Sequence, residues 1–203
     1  MADFGLIYHG DTSKIEGEFA DILGDSGGRT WKGISENNNP DWRGWKIIDA
    51  ILHADPALAK PMRRVDLNKK LRASGQLEAA TFARMKLRYW DVFWGDRNPS
   101  QTVAAEMYDQ TVHFGPSRAS EHLQRVVNAL NRKGETVADV RVDGDYGRKT
   151  HAALEIVLAR SGETPIGLYL NCLQGARYIE LVERQPNGRF ENWIWGFSRR
   201  IGL

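Results

Sequence analysis

Cysteine is nearly absent. Cys172 stands alone in 203 residues, which excludes an internal disulfide and any Cys-rich metal site. No apolar run approaches the ~20 residues that a membrane-spanning helix needs; Ile156-Val157-Leu158-Ala159 is typical of the longest. An excess of one charge is missing too. Lys and Arg number 28 against 26 Asp and Glu, a net charge of +2, which argues against a nucleic-acid binder that works by neutralising phosphates. His9, His53, His113, His122 and His151 show neither His-x-x-x-His nor His-Glu-x-x-His spacing, so no zinc site is implied. Residues 1–11 lack a basic start and a long apolar core, so no Sec signal is expected. The expectation is a protein made in the cytoplasm and not inserted in the membrane.

What remains is an ordinary globular composition, 41% hydrophobic and 27% charged, of a length that allows one domain or two small ones. Aromatics are plentiful: 7 Trp, 6 Tyr and 7 Phe. Such side chains either fill a core or supply stacking platforms in a groove. About two thirds of the Trp are expected in the core.

The periodicity is mostly helical. A first helix is expected over 3–16, through Phe4, Ile7, Tyr8 and Ile15. Residues 17–33 carry five Gly, too many for a helix. The turn signal Asp25-Ser26-Gly27-Gly28 followed by a strand-like Arg29 to Ile34 predicts a small hairpin. Helical spacing returns at 45–52, 76–93, 101–114, 148–160 and 165–183. It is cleanest at 117–132, where Ala119, Leu123, Val126, Val127 and Leu130 line one face. Residues 53–66 look irregular, broken by Pro56 and Pro61, and an aromatic tail follows Glu183. Residues 95–100 are the best boundary, giving a region 1–97 and a helical region 98–203 that is expected to pack on it as one unit. The fold class is mainly α with one small β-hairpin.

Glu16 and Asp25 are the first chemical candidates. Glu16 ends the predicted helix just before Gly17; Asp25 lies at the hairpin, and Thr30 follows on the predicted strand. Glycoside hydrolysis needs a carboxylic acid to protonate the leaving oxygen and a second carboxylate to serve as base or nucleophile. A placed hydroxyl can hold the attacking water. Spacing alone is a weak signal, because acidic pairs nine residues apart are common.

The surrounding residues are more specific. Ile15-Glu16-Gly17-Glu18-Phe19 and Asp25-Ser26-Gly27-Gly28-Arg29-Thr30-Trp31-Lys32-Gly33-Ile34-Ser35 resemble the Glu-Gly-Gly-Tyr and Asp-x-Gly-Gly-x-Thr-x-x-Gly-Ile-Thr/Ser signature of glycoside hydrolase family 108. These are N-acetylmuramidases of phages and bacteria, including the secretion activator proteins. Residues 40–49, Tyr89-Trp90-Asp91 and the helix Glu106 to Gly115 resemble later blocks of that family. Val142-Asp143-Gly144-Asp145-Tyr146-Gly147-Arg148-Lys149-Thr150 resembles the peptidoglycan-binding block usually joined to it, and 190–201 its closing pattern. The chain departs from the pattern at Glu18-Phe19, at His113 in place of Asn, and at Trp195-Gly196-Phe197.

The resemblance implies a lysozyme-like α+β fold with the hairpin beside the catalytic helix. It implies cleavage of the β-1,4 bond between N-acetylmuramic acid and N-acetylglucosamine. Glu16 is then the catalytic acid, with Asp25 and Thr30 as its partners by analogy with the wider lysozyme pattern. Tyr89, Trp90, Tyr108 and Asp109 are candidate substrate-binding residues. No metal or organic cofactor is called for, the partner is the peptidoglycan glycan strand, and a monomer is expected. Action on the wall in the periplasm would need a holin or a secretion machinery. Two other readings stay open: a lytic transglycosylase on the same polymer, which needs no attacking water, and a non-catalytic wall-binding module built on Val142–Thr150. Asp143-x-Asp145 does not make an EF-hand, since position twelve is Leu154. Cys172, beside Leu170 and Leu173, is expected to be a buried, inert thiol.

Overall fold

The computed structural model describes residues 1–10, 18–21, 28–184, 188–198 and 201. The chain forms two compact units, Phe4–Arg88 and Met1–Asp3 with Tyr89–Leu203. The architecture is mainly α with one small antiparallel hairpin, as the sequence predicts.

In the Phe4–Arg88 unit, helix α1 covers Phe4–Tyr8, the first part of the predicted 3–16 helix; residues 11–17 lie outside the described residues. Strands β1 (Thr30–Trp31) and β2 (Ile34–Ser35) pair in register Thr30 with Ser35 and Trp31 with Ile34. Their turn is Lys32-Gly33, with φ of 44° and 79°, as a type I′ connection requires. The hairpin therefore turns later than the Asp25–Gly28 signal suggests.

Helix α2 (Gly44–Ala54) buries Trp45 and Ile48. Two 3₁₀ turns at Pro56–Ala59 and Pro61–Arg63 lead into α3 (Arg64–Arg72). The sequence assigns no helix here: the first three residues belong to the irregular 53–66 stretch and the rest carry no reading, because only Leu67, Asn68 and Leu71 point inward from a highly charged segment. Helix α4 (Gly75–Met85) starts on Ser74, whose hydroxyl caps Leu77 N. The predicted 76–93 helix changes geometry after Met85, through a π turn at Lys86–Trp90 and a 3₁₀ turn at Asp91–Phe93. The core gathers Trp31, Ile34, Ile48, Leu67, Leu71 and Leu77. Its buried indoles keep their N–H groups satisfied: Trp31 donates to Thr81 Oγ1 (3.1 Å), Trp42 to Ala80 O (3.1 Å) and Trp45 to Asn39 O (2.8 Å).

In the other unit, α5 (Gln101–Phe114) is the central helix. It packs on α6 (Pro116–Leu130) and α8 (Glu163–Glu183); α7 (Arg148–Ser161) lies against α6 and α8, and α9 (Arg189–Ser198) against α8. The aromatic tail is thus a helix. Gly115, at φ 83°, makes the sharp corner between α5 and α6. The inward face of α8 is Ile166, Leu170, Gln174 and Tyr178, a strict four-residue step. Cys172 falls on the opposite side and is exposed, not buried as the sequence suggests. No helix among the described residues is long and apolar enough to cross a membrane.

Candidate active site

Glu16 and Asp25 lie outside the described residues. The structure describes the frame on either side of them. Downstream of Glu16 the chain is tied to α3. Phe19 is buried, its N donates to Asn68 Oδ1 (3.1 Å), and Arg64 lies over its ring (5.1 Å). Glu18 accepts from Asn68 Nδ2 (2.7 Å) and from Arg72 Nη1. The two residues that depart from the Gly-Tyr pattern are therefore anchors to this chain's own α3.

Thr30 is half-buried in β1. Its N and O are both bonded to Ala20, each at 2.8 Å, on one side, and it faces Ser35 on the other. The stretch 21–29, which includes Asp25, thus starts and ends at one antiparallel bridge. Thr30 Oγ1 lies 3.5 Å from Gly28 O.

Arg29, next to Thr30, is the clamp of this frame. Nε and Nη2 donate to the two carboxylate oxygens of Glu36 (2.8 and 2.6 Å), and Nη1 donates to Asp49 Oδ1 on α2 (2.5 Å). Its guanidinium also sits 5.3 Å from the Trp45 ring centre. The fork geometry suits a bidentate carboxylate. The Arg29 charge and hydrogen bonds hold the Glu36 carboxyl below its ordinary pKa, and the two carboxylates raise that of Arg29. The sequence shows Arg29 inside the Asp-x-Gly-Gly-x-Thr signature, but not that it reaches seven and twenty residues along the chain.

The other four predicted residues belong to the second unit. Trp90 and Tyr108 are buried, 0% and 2% exposed, and their rings lie edge to face at 6.4 Å. Trp90 Nε1 donates to Asp96 Oδ1 (2.7 Å). Tyr89 and Asp109 are half-buried. Asp109 Oδ2 accepts from Gln174 Nε2 (2.6 Å) on α8. One turn earlier on α5, burial pushes the Glu106 carboxyl up to about 7, against a hydrogen bond from Asn171 that lowers it and with the Asp109 charge adding to the rise.

The Val142–Thr150 segment is organised by one buried side chain, Gln124 on α6. Its Oε1 accepts from Asp143 N and Gly144 N, both 3.0 Å. Its Nε2 donates among Asp143 Oδ1 (2.9 Å), Asp145 O (3.0 Å) and Thr150 Oγ1 (3.2 Å). Gly144, at φ 78°, passes so close to Ser117 that a Cβ would sit 2.2 Å from its hydroxyl. Asp143 also accepts from Asp145 N (3.0 Å), which makes the Asp-Gly-Asp segment a structural turn.

A search of the curated proteins finds no match. Among solved structures, one titled "Structure of Brucella abortus SagA" is similar in fold: TM-score 0.57, 24% identity, covering 98% of this chain and 88% of that one. The second part of the chain, residues 118–201, matches the family described as a predicted peptidoglycan domain. Residues 10–115, which span Glu16, Asp25 and Thr30, match glycosyl hydrolase 108. With more than half its length in that match, this chain belongs to the glycosyl hydrolase 108 family and is a glycoside hydrolase of peptidoglycan.

Proposed function

We propose that the protein is an N-acetylmuramidase, which hydrolyses the β-1,4 bond between N-acetylmuramic acid and N-acetylglucosamine. The observation that carries this is the family match across 10–115, together with the Glu-Gly and Asp-x-Gly-Gly-x-Thr residues it contains. Glu16, protonated, gives its proton to the leaving glycosidic oxygen. The bond from that oxygen to the anomeric carbon breaks, and an oxocarbenium-like state forms. Asp25, ionised, steadies that state or takes a proton from the incoming water, and Thr30 orients the water. The bridge at Ala20 and the Arg29 clamp support this division of labour, because they hold Thr30 on a rigid ladder at the end of the stretch that carries Asp25.

The protein acts on the wall after leaving the cytoplasm, through a holin or a secretion machinery. The bond is tested with purified sacculi: after digestion, borohydride reduction should convert muramic acid, not glucosamine, to its alditol. New glucosaminitol ends would assign the other β-1,4 bond.

A further inference from the structure

We propose that the cleft on the Asp91–Arg97 turn is a saccharide-binding subsite whose stacking platform is the Trp94 indole. The proposal rests on the reading that the chain works on peptidoglycan glycan.

Trp94 has a left-handed backbone, φ 54° and ψ 44°. For so bulky a side chain this is an outlier. Such strain persists only where the surroundings impose it, and it gathers at ligand sites. Glycine would relieve it, yet the glycine of this turn is the next residue. Gly95 is required there for a separate reason: a Cβ would sit 2.2 Å from Cε2 of the buried Trp90 indole. The strained position thus keeps the largest side chain available.

The turn lines an open surface cleft of about 370 Å³, formed by Asp91, Trp94, Gly95, Asp96 and Arg97. That volume is in the range of small-ligand pockets. Its chemistry is an aromatic ring, two carboxylates and a guanidinium. A pyranose offers an apolar C–H face to a ring and hydroxyls to carboxylate acceptors; its N-acetyl carbonyl accepts from a guanidinium. The Arg97 guanidinium lies over the Trp94 ring, 5.2 Å from its centre, so it covers one face of the indole and a sugar would stack on the ring surface that Arg97 leaves uncovered. Asp96 is fixed by the 2.7 Å bond from Trp90 Nε1.

The platform is also held from outside the turn. Tyr146 meets the Trp94 ring edge to face at 5.8 Å, and His151 packs on it at 5.4 Å. Tyr146 OH and His151 Nδ1 are bonded at 2.8 Å, which locks both rings. A platform fixed in advance loses little entropy on binding. Trp90, one of the three aromatics the sequence offers as substrate-binding candidates, has no exposed surface; Trp94, four residues later, is half-buried and lines the cleft.

The test uses the full chain carrying Glu16→Gln, so that the probe survives, and N,N′,N″,N‴-tetraacetylchitotetraose as a peptide-free amino-sugar strand. The tetraose should bind and change the tryptophan fluorescence. Trp94→Gly should weaken binding roughly tenfold or more; glycine accepts the left-handed backbone, and circular dichroism checks that the fold survives loss of the ring contacts. Arg97→Ala, on an exposed side chain, should weaken it severalfold, which guards against a folding defect in the first variant. Binding within twofold of the parent in both variants overturns the proposal. So does a parent that ignores the tetraose and binds only a free stem peptide, the other ligand that carboxylates and an indole attract. The wild-type chain is assayed on sacculi in parallel. Failure to cut them removes the muramidase reading, while the tetraose titration still decides the subsite.

Discussion

Thr30 and Ala20 exchange both of their backbone hydrogen bonds, each 2.8 Å long. Thr30 also sits opposite Ser35 in the hairpin. These bonds fix the Thr30 backbone, and they do not involve its side chain. The cost of changing it should therefore fall on chemistry and not on folding.

From that follows an order of effects. Glu16→Gln keeps the shape and removes the acid, which should slow peptidoglycan clearing roughly 10²–10⁴-fold. Asp25→Asn should also be severe. Thr30→Ala should be milder, because it loosens the water and leaves the base intact. Turbidity assays on permeabilised cells, with circular dichroism as the folding control, read all three. A Thr30→Ala variant slower than Asp25→Asn would reverse the assigned roles.

Arg29 makes a different prediction, since its bonds are charge-assisted and its side chain is only 21% exposed. Arg29→Ala should cost about 2 kcal/mol, the usual worth of hydrogen bonds to charged groups. Activity should fall as well, because Thr30 is its neighbour. The pH dependence has a definite sign. Glu36 has a lowered pKa in the folded chain. Its contribution is present above the ordinary carboxylate range and is lost as pH falls through the folded value. Urea titrations should show Arg29→Ala destabilised at pH 7, with the gap to wild type narrowing as Glu36 is protonated and the Asp49 and Trp45 contacts keeping the remainder. A constant gap across that acid range would count against the clamp.

Glu106 and His122 should oppose each other. Burial pushes Glu106 up from 4.5 to about 7. Its contribution is full below 4.5 and is lost as pH rises toward 7. Burial and nearby arginines push His122 down from 6.5 to about 4, while Nδ1 lies 2.7 Å from Gln110 Oε1. Its contribution is full above 6.5 and is lost as pH falls toward 4. Over the shared span the two slopes cancel. Glu106→Gln should uncover stability that rises with pH between about 4 and 6.5, and His122→Gln the reverse. Chemical denaturation at several pH values measures both. Parallel curves for the two variants would contradict the assignment.

How much of this the sequence reveals depends on the range of the interaction. Helix α6 is legible because one face repeats strictly from Ala119 to Leu130. Helix α3 is not, because its inward face is a single step, Leu67 to Leu71, amid charges. The hairpin is legible but its turn is misplaced: the Asp25–Gly28 signal is richer in turn residues than Lys32-Gly33, where a lysine takes the left-handed backbone. Trp90 and Trp94 cannot be told apart by spacing, because π and 3₁₀ turns break the helical phase between them. Arg29 and Gln124 act through partners far along the chain, and no local pattern announces them. The catalytic candidates were legible only through the family signature.

The product of the reaction separates hydrolase from transglycosylase. If Asp25 and Thr30 present a water to the anomeric carbon, the cleaved muramic residue ends as a reducing sugar. If Glu16 works alone, the C6 hydroxyl of the same sugar closes on the anomeric carbon and a 1,6-anhydro ring forms. The two products differ by one water in mass, so the comparison does not depend on rate. The Arg29 clamp and the Ala20 bridge favour the first outcome, since they fix the backbone that carries Thr30. Mass spectrometry of digested sacculi should show reducing ends that borohydride converts to muramitol. Mainly anhydro ends would remove the water-placing role from Asp25 and Thr30 while leaving Glu16 as the acid.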